Sequence, residues 1–323
     1  MQPAPSAGNA ATRRDNITPG DRPRPRIAVT LGDPRGIGPE VTGRALQDES
    51  LKNAADFVVV GPSGTLVPPA DTVGSWPANG SATDAGKLAG AAIERAVALA
   101  LAGDVDGVVT APIDKAALLS GGYDFPGHTE MLASLTGEET VMMLASDRLR
   151  VVLATTHVPL RDVPRLLTAD VIVKTAAITR SGLADWFGLA SPRIALCALN
   201  PHAGDGGRFG TEDHDVLAPA ARAAGLSGPF PADTVFVRAL RGEFDAVIAP
   251  YHDVGMTAIK VASFGSAVNI TLGLPFPRTS PDHGTAIDIA GKGIADASSM
   301  LQAIQMCVQI VKRRSELRAQ RSE

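Results

Sequence analysis

The sequence contains few cysteines and few aromatic residues. Cys197 and Cys307 are its only cysteines, which excludes a disulfide-stapled secreted domain and favours a reducing compartment. Cys197 lies in the apolar run at 194–199, so we expect a buried, inert thiol there. Aromatic residues make up only 4% of the chain, so Val, Leu, Ile and Ala must fill the core. Small apolar residues of this kind are typical of parallel strands covered by helices.

Long apolar runs and a strong charge of one sign are also missing. No uninterrupted apolar stretch reaches the roughly 18–20 residues of a membrane span, so we expect no membrane partner. The formal net charge is −4 and basic clusters occur only near the two ends, which argues against a nucleic-acid partner. Residues 1–26 are rich in Pro, Ala and Arg without an apolar segment, so we interpret them as a disordered extension of a cytoplasmic protein.

The usual nucleotide and nucleophile motifs are absent as well. The sequence has no G-x-G-x-x-G dinucleotide fingerprint, no G-x-x-x-x-G-K-[ST] phosphate loop and no G-x-S-x-G nucleophile elbow. The glycine-rich segment at 32–38 precedes a helical pattern, but its spacing differs from the dinucleotide fingerprint. A dinucleotide cofactor would therefore have to bind in another way.

Short apolar runs alternate with longer helical patterns along the 323 residues. This alternation predicts an α/β architecture with mostly parallel strands, and the length favours two domains. The predicted strands are Ile27–Leu31, Phe57–Val60, Val105–Thr110, Thr140–Leu144, Leu149–Thr155, Ile194–Leu199 and Ala246–Ala249. The predicted helices are Asp84–Ala102, Thr168–Phe187 and Ala297–Arg314. Residues 61–83, rich in Gly, Pro and Ser, are predicted to be a surface excursion.

Three of the six histidines directly follow predicted strands. His157, His202 and His252 come after the runs that end at 155, 199 and 249. Open α/β sheets bind ligands beyond the carboxyl ends of their strands, so these side chains are candidates for one site. Neutral imidazole binds zinc and other divalent ions, and three protein ligands leave positions for substrate oxygens. The long spacings leave open that each histidine only caps a loop.

Two charged residues follow His252 closely. Asp253 could orient the imidazole, contact a metal ion itself or merely cap a loop. Lys260 could transfer a proton to or from a metal-bound hydroxyl, although a solvated surface lysine is the simpler interpretation.

Two segments have the chemistry of anion binding. Gly127-His128-Thr129-Glu130 resembles the start of a helix capped by Thr129, and backbone N–H groups at such a terminus favour phosphate or carboxylate. Arg278, followed by Thr279 and Ser280, offers a guanidinium and two hydroxyls for the same purpose. Either segment alone is a weak signal.

Eight blocks in order resemble the 4-hydroxythreonine-4-phosphate dehydrogenase family of vitamin B6 biosynthesis, which includes relatives acting on 4-phospho-threonate and 4-phospho-erythronate. The blocks extend over about residues 27 to 310, nearly the whole chain. They are TLGDPRGIGPE (30–40), TAPIDKAAL (110–118), PGHTEML (126–132), TTHVPL (155–160), NPHAGDGGRFGTED (200–213), PADTVF (231–236), YHDVGM (251–256) and VNITLGLPFPRTSPDHGTAIDIAGKG (268–293).

The resemblance implies the two-domain fold of isocitrate and isopropylmalate dehydrogenases, with a cleft between the domains and no Rossmann fingerprint. We expect residues 27–135 with 268–323 to form the cofactor-proximal α/β domain. Residues 136–267 would form the second α/β domain, which carries the metal site and the dimer interface. In this family the active site lies at the interface of a homodimer.

The resemblance also assigns site residues. The metal ligands fall on His157, His202 and His252, and the catalytic base would be Lys260 or Asp253. The implied substrate contacts are His128, Thr129, Lys260, Asn269 and Arg278. The segment 282–296 looks like the NAD-contacting loop of isopropylmalate dehydrogenases, which makes Gly284, Thr285 and Asp288 candidates for the cofactor site.

The implied activity is the metal-dependent and NAD- or NADP-dependent oxidation of a 4-phosphorylated hydroxy acid. The product is a β-keto acid that decarboxylates, and each subunit would hold one divalent ion of Zn, Mg, Co or Mn. Three other functions stay open: a dehydrogenase of a non-phosphorylated diol acid, a metal-dependent hydrolase or aldolase without NAD, and a non-catalytic binding protein.

Three positions depart from the family pattern. Val254 replaces a glutamine, Asp205 replaces a glutamate and Asp114 replaces an asparagine. The candidate metal ligands are retained, so the metal-dependent oxidation is expected to persist. The departures leave the substrate open, and a catabolic relative is one possibility.

Overall fold

The computed structural model describes residues 24–263 and 266–322. Most of the predicted N-terminal extension, residues 1–23, therefore lies outside the described residues. Eleven strands form one sheet in the order β3-β2-β1-β4-β11-β10-β5-β6-β9-β7-β8. The strands are β1 (Arg26–Thr30), β2 (Asp56–Ser63), β3 (Asp71–Ser75), β4 (Gly107–Thr110), β5 (Val141–Ala145), β6 (Arg150–Leu153), β7 (Ile194–Cys197), β8 (Ser227–Phe230), β9 (Ala246–Ala249), β10 (Val268–Leu272) and β11 (Arg278–Pro281).

Ten α-helices accompany the sheet in the described residues. They are α1 (Gly38–Leu46), α2 (Ala82–Leu101), α3 (Lys115–Ser120), α4 (His128–Thr136), α5 (Val163–Leu166), α6 (Ala169–Phe187), α7 (Ala218–Ala224), α8 (Ala232–Leu240), α9 (His252–Ser263) and α10 (Ser298–Ser322). None of the helices in this part of the chain is long and apolar enough to cross a membrane.

The sheet is mixed, but most of its strand pairs are parallel, as predicted. The antiparallel pairs are β11–β10, β10–β5 and β5–β6. Three successive reversals mean that β6 and β9 run in the opposite direction to β4 and β11. The two strands predicted on either side of residues 146–148 pair with each other as β5 and β6.

The segment 61–83 corrects one prediction. It is not only a surface excursion, because β2 extends to Ser63 and β3 adds a parallel edge strand. Edge strand β3 is only partly buried along its length, so it has no continuous apolar run to reveal it. Helix α2 then begins after Ser81, whose hydroxyl and the Asp84 carboxylate form a capping box.

Aliphatic side chains fill the core, as the shortage of aromatics requires. Ile27, Val29 and Val109 of the central strands are fully buried in one cluster against the C-terminal helix α10. Cys197 and Cys307 are also buried, and burial raises the pKa of both thiols to about 12. The expectation that the Cys197 thiol is buried is therefore confirmed.

Candidate active site

A cavity of about 410 Å³ lies between α9 on one side and α3 and α4 on the other. It contains seven of the residues that the sequence singled out: His128, Thr129, His157, His252, Lys260, Asn269 and Gly284. A larger cavity of about 620 Å³, between α6 and α10, is lined by charges of both signs and by none of the predicted site residues. The chemistry therefore favours the smaller cavity.

His157 and His252 form one wall of this cavity, which we call the histidine wall. Strands β6 and β9 are parallel neighbours, and the chain beyond their ends carries these two residues side by side. Their ring centroids lie 5.5 Å apart, with the ring planes inclined by 43°. This distance allows both rings to face a common point between them.

Neighbouring groups orient one imidazole of the histidine wall and shift the pKa of the other. His252 Nδ1 lies 2.7 Å from Asp253 Oδ1, and in the tautomer with its proton on Nδ1 the ring donates to the carboxylate and leaves Nε2 for a metal ion. Partial burial lowers the pKa of His157, the positive charges of Lys115 and His252 lower it further, and Glu130 opposes them. The Asp253 side chain is 86% exposed and orients His252 from outside the cavity.

His202 does not join this pair within the chain. It is exposed on the loop Pro201–Gly207, which we call the His202 loop, and its ring lies 6.5 Å from that of Phe209. No group of three metal-binding side chains forms among the residues that the structure describes. Of the three histidines predicted to converge, only His157 and His252 lie together within one copy of the described chain.

The His202 loop is strained and firmly held. Residues 202–206 all have left-handed backbone, with φ between 43° and 86°, and only two of the five are glycines. Such conformations cost a non-glycine residue on the order of 1 kcal/mol or more. The buried carboxylate of Asp213 accepts hydrogen bonds from the N–H groups of Leu199 and Asn200, at 2.7 and 2.9 Å, and so fixes the start of the loop.

Thr110, Lys115, His128 and Thr129 form the opposite wall of the cavity, which we call the anion wall. Arg278 lies directly behind it and is completely buried. Its guanidinium donates hydrogen bonds to the hydroxyls of Thr271, at 2.9 Å, and of Thr110. Burial lowers the pKa of Arg278 to about 9, and no carboxylate pairs with it among the described residues.

Three polar atoms of the cavity are buried and have no hydrogen-bond partner in the described part of the chain. They are His128 Nε2, Asn269 Oδ1 and His283 Nε2. A buried polar atom without a partner costs about 1–3 kcal/mol, so a group of them indicates a ligand position. Burial, Arg278 and Lys115 hold the pKa of His128 well below its usual value, which keeps this ring neutral.

The start of α4 corrects the prediction for Thr129. Gly127 is the N-cap residue, its backbone is extended, and none of the described side chains caps the helix. Thr129 lies inside the first turn and cannot cap it. The N-terminus of α4 therefore presents its backbone N–H groups beside the cavity, which Gly127, His128 and Thr129 all line.

Lys260 reaches the cavity from α9, two turns beyond His252. Its ammonium group lies 3.1 Å from Asp282 Oδ2, and the lysine side chain is half exposed. Asp282 follows β11 and lines the cavity too. The residue lies inside the longest of the resembling blocks, but nothing in its local sequence distinguished it from a loop aspartate.

The candidate cofactor residues are dispersed. Gly284 lines the cavity. The carbonyl of Thr285 accepts a hydrogen bond from Ile37 at 2.8 Å, and a Cβ on Gly36 would lie only 2.7 Å from that carbonyl oxygen. Asp288 is exposed in the short turn Ile287–Ile289. The glycine-rich segment at 32–38 thus packs closely against the loop that carries Thr285.

None of the three departures from the family pattern lines the cavity. Asp114 caps α3 by accepting from the N–H of Ala117 at 2.7 Å, and it lies 3.8 Å from Arg35. Asp205 is exposed on the His202 loop, where it lies 3.6 Å from Arg208. Val254 is partly buried against the apolar cluster under α9.

Comparison with known proteins places the chain in a family. The family model for "Pyridoxal phosphate biosynthetic protein PdxA" matches residues 48–307. The 4-hydroxythreonine-4-phosphate dehydrogenase of Desulfosudis oleivorans is 42% identical, over 88% of this chain and 96% of that protein.

Two solved structures are similar along almost their whole length. A crystal structure of the 4-hydroxythreonine-4-phosphate dehydrogenase from Klebsiella pneumoniae has a TM-score of 0.78 at 38% identity, and covers 89% of this chain and 99% of that one. A terephthalate 1,2-cis-dihydrodiol dehydrogenase from Burkholderia xenovorans has a TM-score of 0.62 at 30% identity, covering 88% and 98%.

These likenesses confirm the family and the enzyme class that the sequence predicted, a dehydrogenase acting on a CH–OH group. The family model matches most of the chain, and the relatives are about 40% identical over nearly their whole length. Similarity of this extent indicates common family membership and not merely a shared fold. The chain belongs to the PdxA family of pyridoxal phosphate biosynthetic proteins.

Proposed function

We propose that the chain oxidises a 4-phosphorylated hydroxy acid with NAD or NADP, as a 4-hydroxythreonine-4-phosphate or 4-phospho-threonate dehydrogenase. The product would be a β-keto acid that then loses its carboxylate as carbon dioxide. The observation that carries this proposal is the buried Arg278 behind the anion wall, which no described carboxylate neutralises. A cation left without a counter-charge in a low-dielectric site favours an anionic ligand beside it.

The histidine wall fits a divalent metal ion. His157 and His252 lie side by side on one wall of the cavity, burial lowers the pKa of His157, and the Asp253 carboxylate contacts Nδ1 of His252. A bound ion of Zn, Mg, Co or Mn would lower the pKa of the substrate hydroxyl and orient it. Two protein ligands are one fewer than catalytic zinc sites usually have, so a further ligand is needed.

His202 of a second copy is our candidate for that ligand. The residue is exposed on a loop whose strained backbone is held in place by hydrogen bonds. Backbone strain of this kind is typical of functional sites. In a two-fold symmetric dimer each copy could donate His202 to the other and receive it in return. We therefore propose a homodimer in which each active site draws on both subunits and holds one metal ion.

The residues of the chain then divide the reaction between them. The anion wall and the α4 N-terminus bind the phosphate, remote from the reacting carbon. Lys260 would accept the proton of the substrate hydroxyl in its neutral amine form, after losing its own proton, and Asp282 would stabilise the ammonium group that forms again. Asp253, which the sequence left as a second candidate base, acts on His252. A bound nicotinamide cofactor would supply the hydride acceptor.

The proposed domain division agrees with the position of the cavity. Its anion wall and its histidine wall come from 27–135 and from 136–267, the two segments assigned to different domains. A cleft between domains is a common place for a cofactor and substrate to meet. The loop carrying Gly284, Thr285 and Asp288 lies beside this cleft and is our candidate for the nicotinamide-binding segment.

A dehydrogenase of a non-phosphorylated diol is the second candidate. The similar dihydrodiol dehydrogenase structure supports it, since that protein shares the fold at 30% identity. Arg278 and the retained Gly127-His128-Thr129-Glu130 segment favour the phosphorylated substrate instead. A hydrolase or aldolase without NAD would leave the enzyme class of the relatives unexplained.

The test is a panel of hydroxy acids, each with and without a 4-phosphate, assayed with NAD and NADP. We expect reduced nicotinamide to accumulate with a phosphorylated member, only after metal is supplied, and much less with its unphosphorylated counterpart. The absence of reduction with every phosphorylated acid would contradict the proposal.

The matched control uses two similar histidines. His214 Nδ1 lies 2.8 Å from Asp215 Oδ1, the same arrangement as His252 and Asp253, but outside the cavity. We expect His252→Ala to abolish metal-dependent reduction and His214→Ala to retain it.

A further inference from the structure

We propose that Lys115 is the side chain that binds the phosphate of the substrate directly, while Arg278 supports the anion from behind. This inference rests on the proposed function, because it names the residue that recognises the phosphorylated end. Neither the sequence patterns nor the resemblance had singled out Lys115 as a site residue. The cavity brings it opposite the histidine wall.

The charges around the cavity distinguish Lys115 from the other cations. Lys260 lines the cavity, but Asp282 already pairs with it at 3.1 Å. Arg278 is completely buried behind Thr110 and is not among the residues that line the cavity. Lys115 lines the cavity, and within the described ranges no carboxylate lies within ion-pair distance of it. Among the described cationic side chains that line the cavity, Lys115 is therefore the one whose charge is available to a bound anion.

The local structure directs Lys115 toward the start of α4. Asp114 caps α3, so Lys115 is the first residue of that helix. A Cβ on Gly127 would lie 3.7 Å from Lys115 Cε and 3.5 Å from Glu130 Oε2. Because residue 127 has no side chain, the lysine stem can lie over the uncapped first turn of α4. The ammonium and the helix N–H groups can then act on one anion.

The electrostatics of the neighbouring rings agree with this placement. The pKa of His128 is lowered first by burial, then by the charges of Arg278 and Lys115. Both cations therefore act on the region around His128, Arg278 from behind the wall and Lys115 from within the cavity. The buried His128 Nε2, which lacks a partner among the described residues, lies in the same wall.

The threonine hydroxyls that bind Arg278 explain why it is not the direct contact. Its two Nη atoms donate to Thr271 and Thr110, so Thr110 stands between the guanidinium and the cavity. A ligand would have to displace that hydroxyl to form a bidentate pair with the arginine. Lys115 needs no such rearrangement.

Binding of inorganic phosphate to the full-length protein, measured by isothermal titration calorimetry, tests the inference without turnover. We compare the wild type with Lys115→Met, Lys115→Arg and Lys87→Met. Lys87 is an exposed lysine of α2, the helix that packs on α3, and it does not line the cavity. Thermal unfolding of each variant checks that it is folded.

We expect Lys115→Met to weaken phosphate binding by at least about tenfold, the lower end for losing a hydrogen bond to a charged group. Lys115→Arg should restore most of the affinity, and Lys87→Met should bind like the wild type. Equal affinity of the wild type and Lys115→Met would overturn the inference, as would a wild type that binds no phosphate.

The outcome is separable from that of the proposed function. If the wild type oxidises a phosphorylated hydroxy acid while Lys115→Met keeps the phosphate affinity, the inference is wrong and the function stands. If the wild type oxidises no hydroxy acid but Lys115→Met loses phosphate binding, the proposed function is wrong, while Lys115 still binds phosphate in this cavity.

Discussion

The two walls of the cavity differ in how much of them one chain supplies. The anion wall is complete: Lys115, His128 and Thr129 line it, and Arg278 is locked behind it by two threonine hydroxyls. The histidine wall has two imidazoles, whereas the third candidate ligand is exposed on the His202 loop. Under the proposed function, phosphate recognition would need a single chain, whereas metal binding would need the proposed dimer.

The anion wall and the His202 loop each carry an energetic cost that the fold tolerates. The anion wall holds a buried guanidinium with hydroxyl partners only, and the His202 loop holds three non-glycine residues in left-handed backbone. Both costs disfavour the isolated chain, and both would be offset by a ligand or a partner. Strain and unpaired charge at these two places are therefore consistent with function.

Lys260→Ala should have the largest effect among variants that leave both walls intact. Loss of a general base lowers turnover by about 10²–10⁴-fold, while the histidines remain free to bind metal. We expect kcat to fall by this amount and the metal content of the purified protein to stay near normal. A kcat equal to that of the wild type would remove Lys260 from the mechanism.

Asp253→Asn should act on the histidine wall alone. The carboxylate accepts from His252 at 2.7 Å, and replacing such a partner typically weakens metal affinity by about 10–100-fold. Phosphate binding should be unchanged, because the anion wall does not involve α9. Asp215→Asn, which disturbs the equivalent contact of exposed His214, is the control and should leave metal affinity unaltered.

A drop in phosphate affinity equal to the drop in metal affinity in Asp253→Asn would show that the two walls are not independent. Titrating metal and phosphate separately into the same protein distinguishes these results. The comparison between the walls would then have to be abandoned.

Asp114→Asn should have the smallest effect and sharpens the assignment of Lys115. Asparagine caps a helix about as well as aspartate, so α3 and the placement of Lys115 should be preserved. The variant loses only the partly exposed ion pair with Arg35, worth at most about 1 kcal/mol. We expect unfolding free energy in urea to fall by no more than this and phosphate binding to stay within about twofold. A large loss of phosphate affinity would mean that the charge of Asp114 itself shapes the anion wall.

Residue patterns predicted the fold well where burial is continuous. The central strands β1, β4, β7 and β9 are buried along nearly their whole length and appeared as uninterrupted apolar runs. Edge strand β3 escaped detection because half-exposed strands lack such runs. Helix α10 extends to Ser322, beyond the predicted end at Arg314. The prediction stopped short because the last turns of the helix are polar and largely exposed.

The site was harder to predict than the fold. The burial of a side chain and the direction in which a loop carries it depend on tertiary structure. The strand-end rule correctly placed His157 beside His252, since β6 and β9 are parallel neighbours. It could not show that the His202 loop leads its histidine away, although the glycines at 204, 206 and 207 signal unusual backbone. The burial of Arg278 behind Thr110, and the contact of Asp282 with Lys260, depend on residues far apart in sequence.

Active-site complementation tests the shared metal site most directly. His157→Ala and His202→Ala are expected to be inactive alone, because every site in either homodimer lacks one ligand. In a mixed dimer, one site contains both substituted positions. The other site contains the intact His157 and His252 of one subunit and the intact His202 of the other. Random pairing should then restore about a quarter of wild-type activity when the two are co-expressed or unfolded and refolded together. No recovery, with mixed dimers shown to form, would contradict the assignment of His202 to the partner's site.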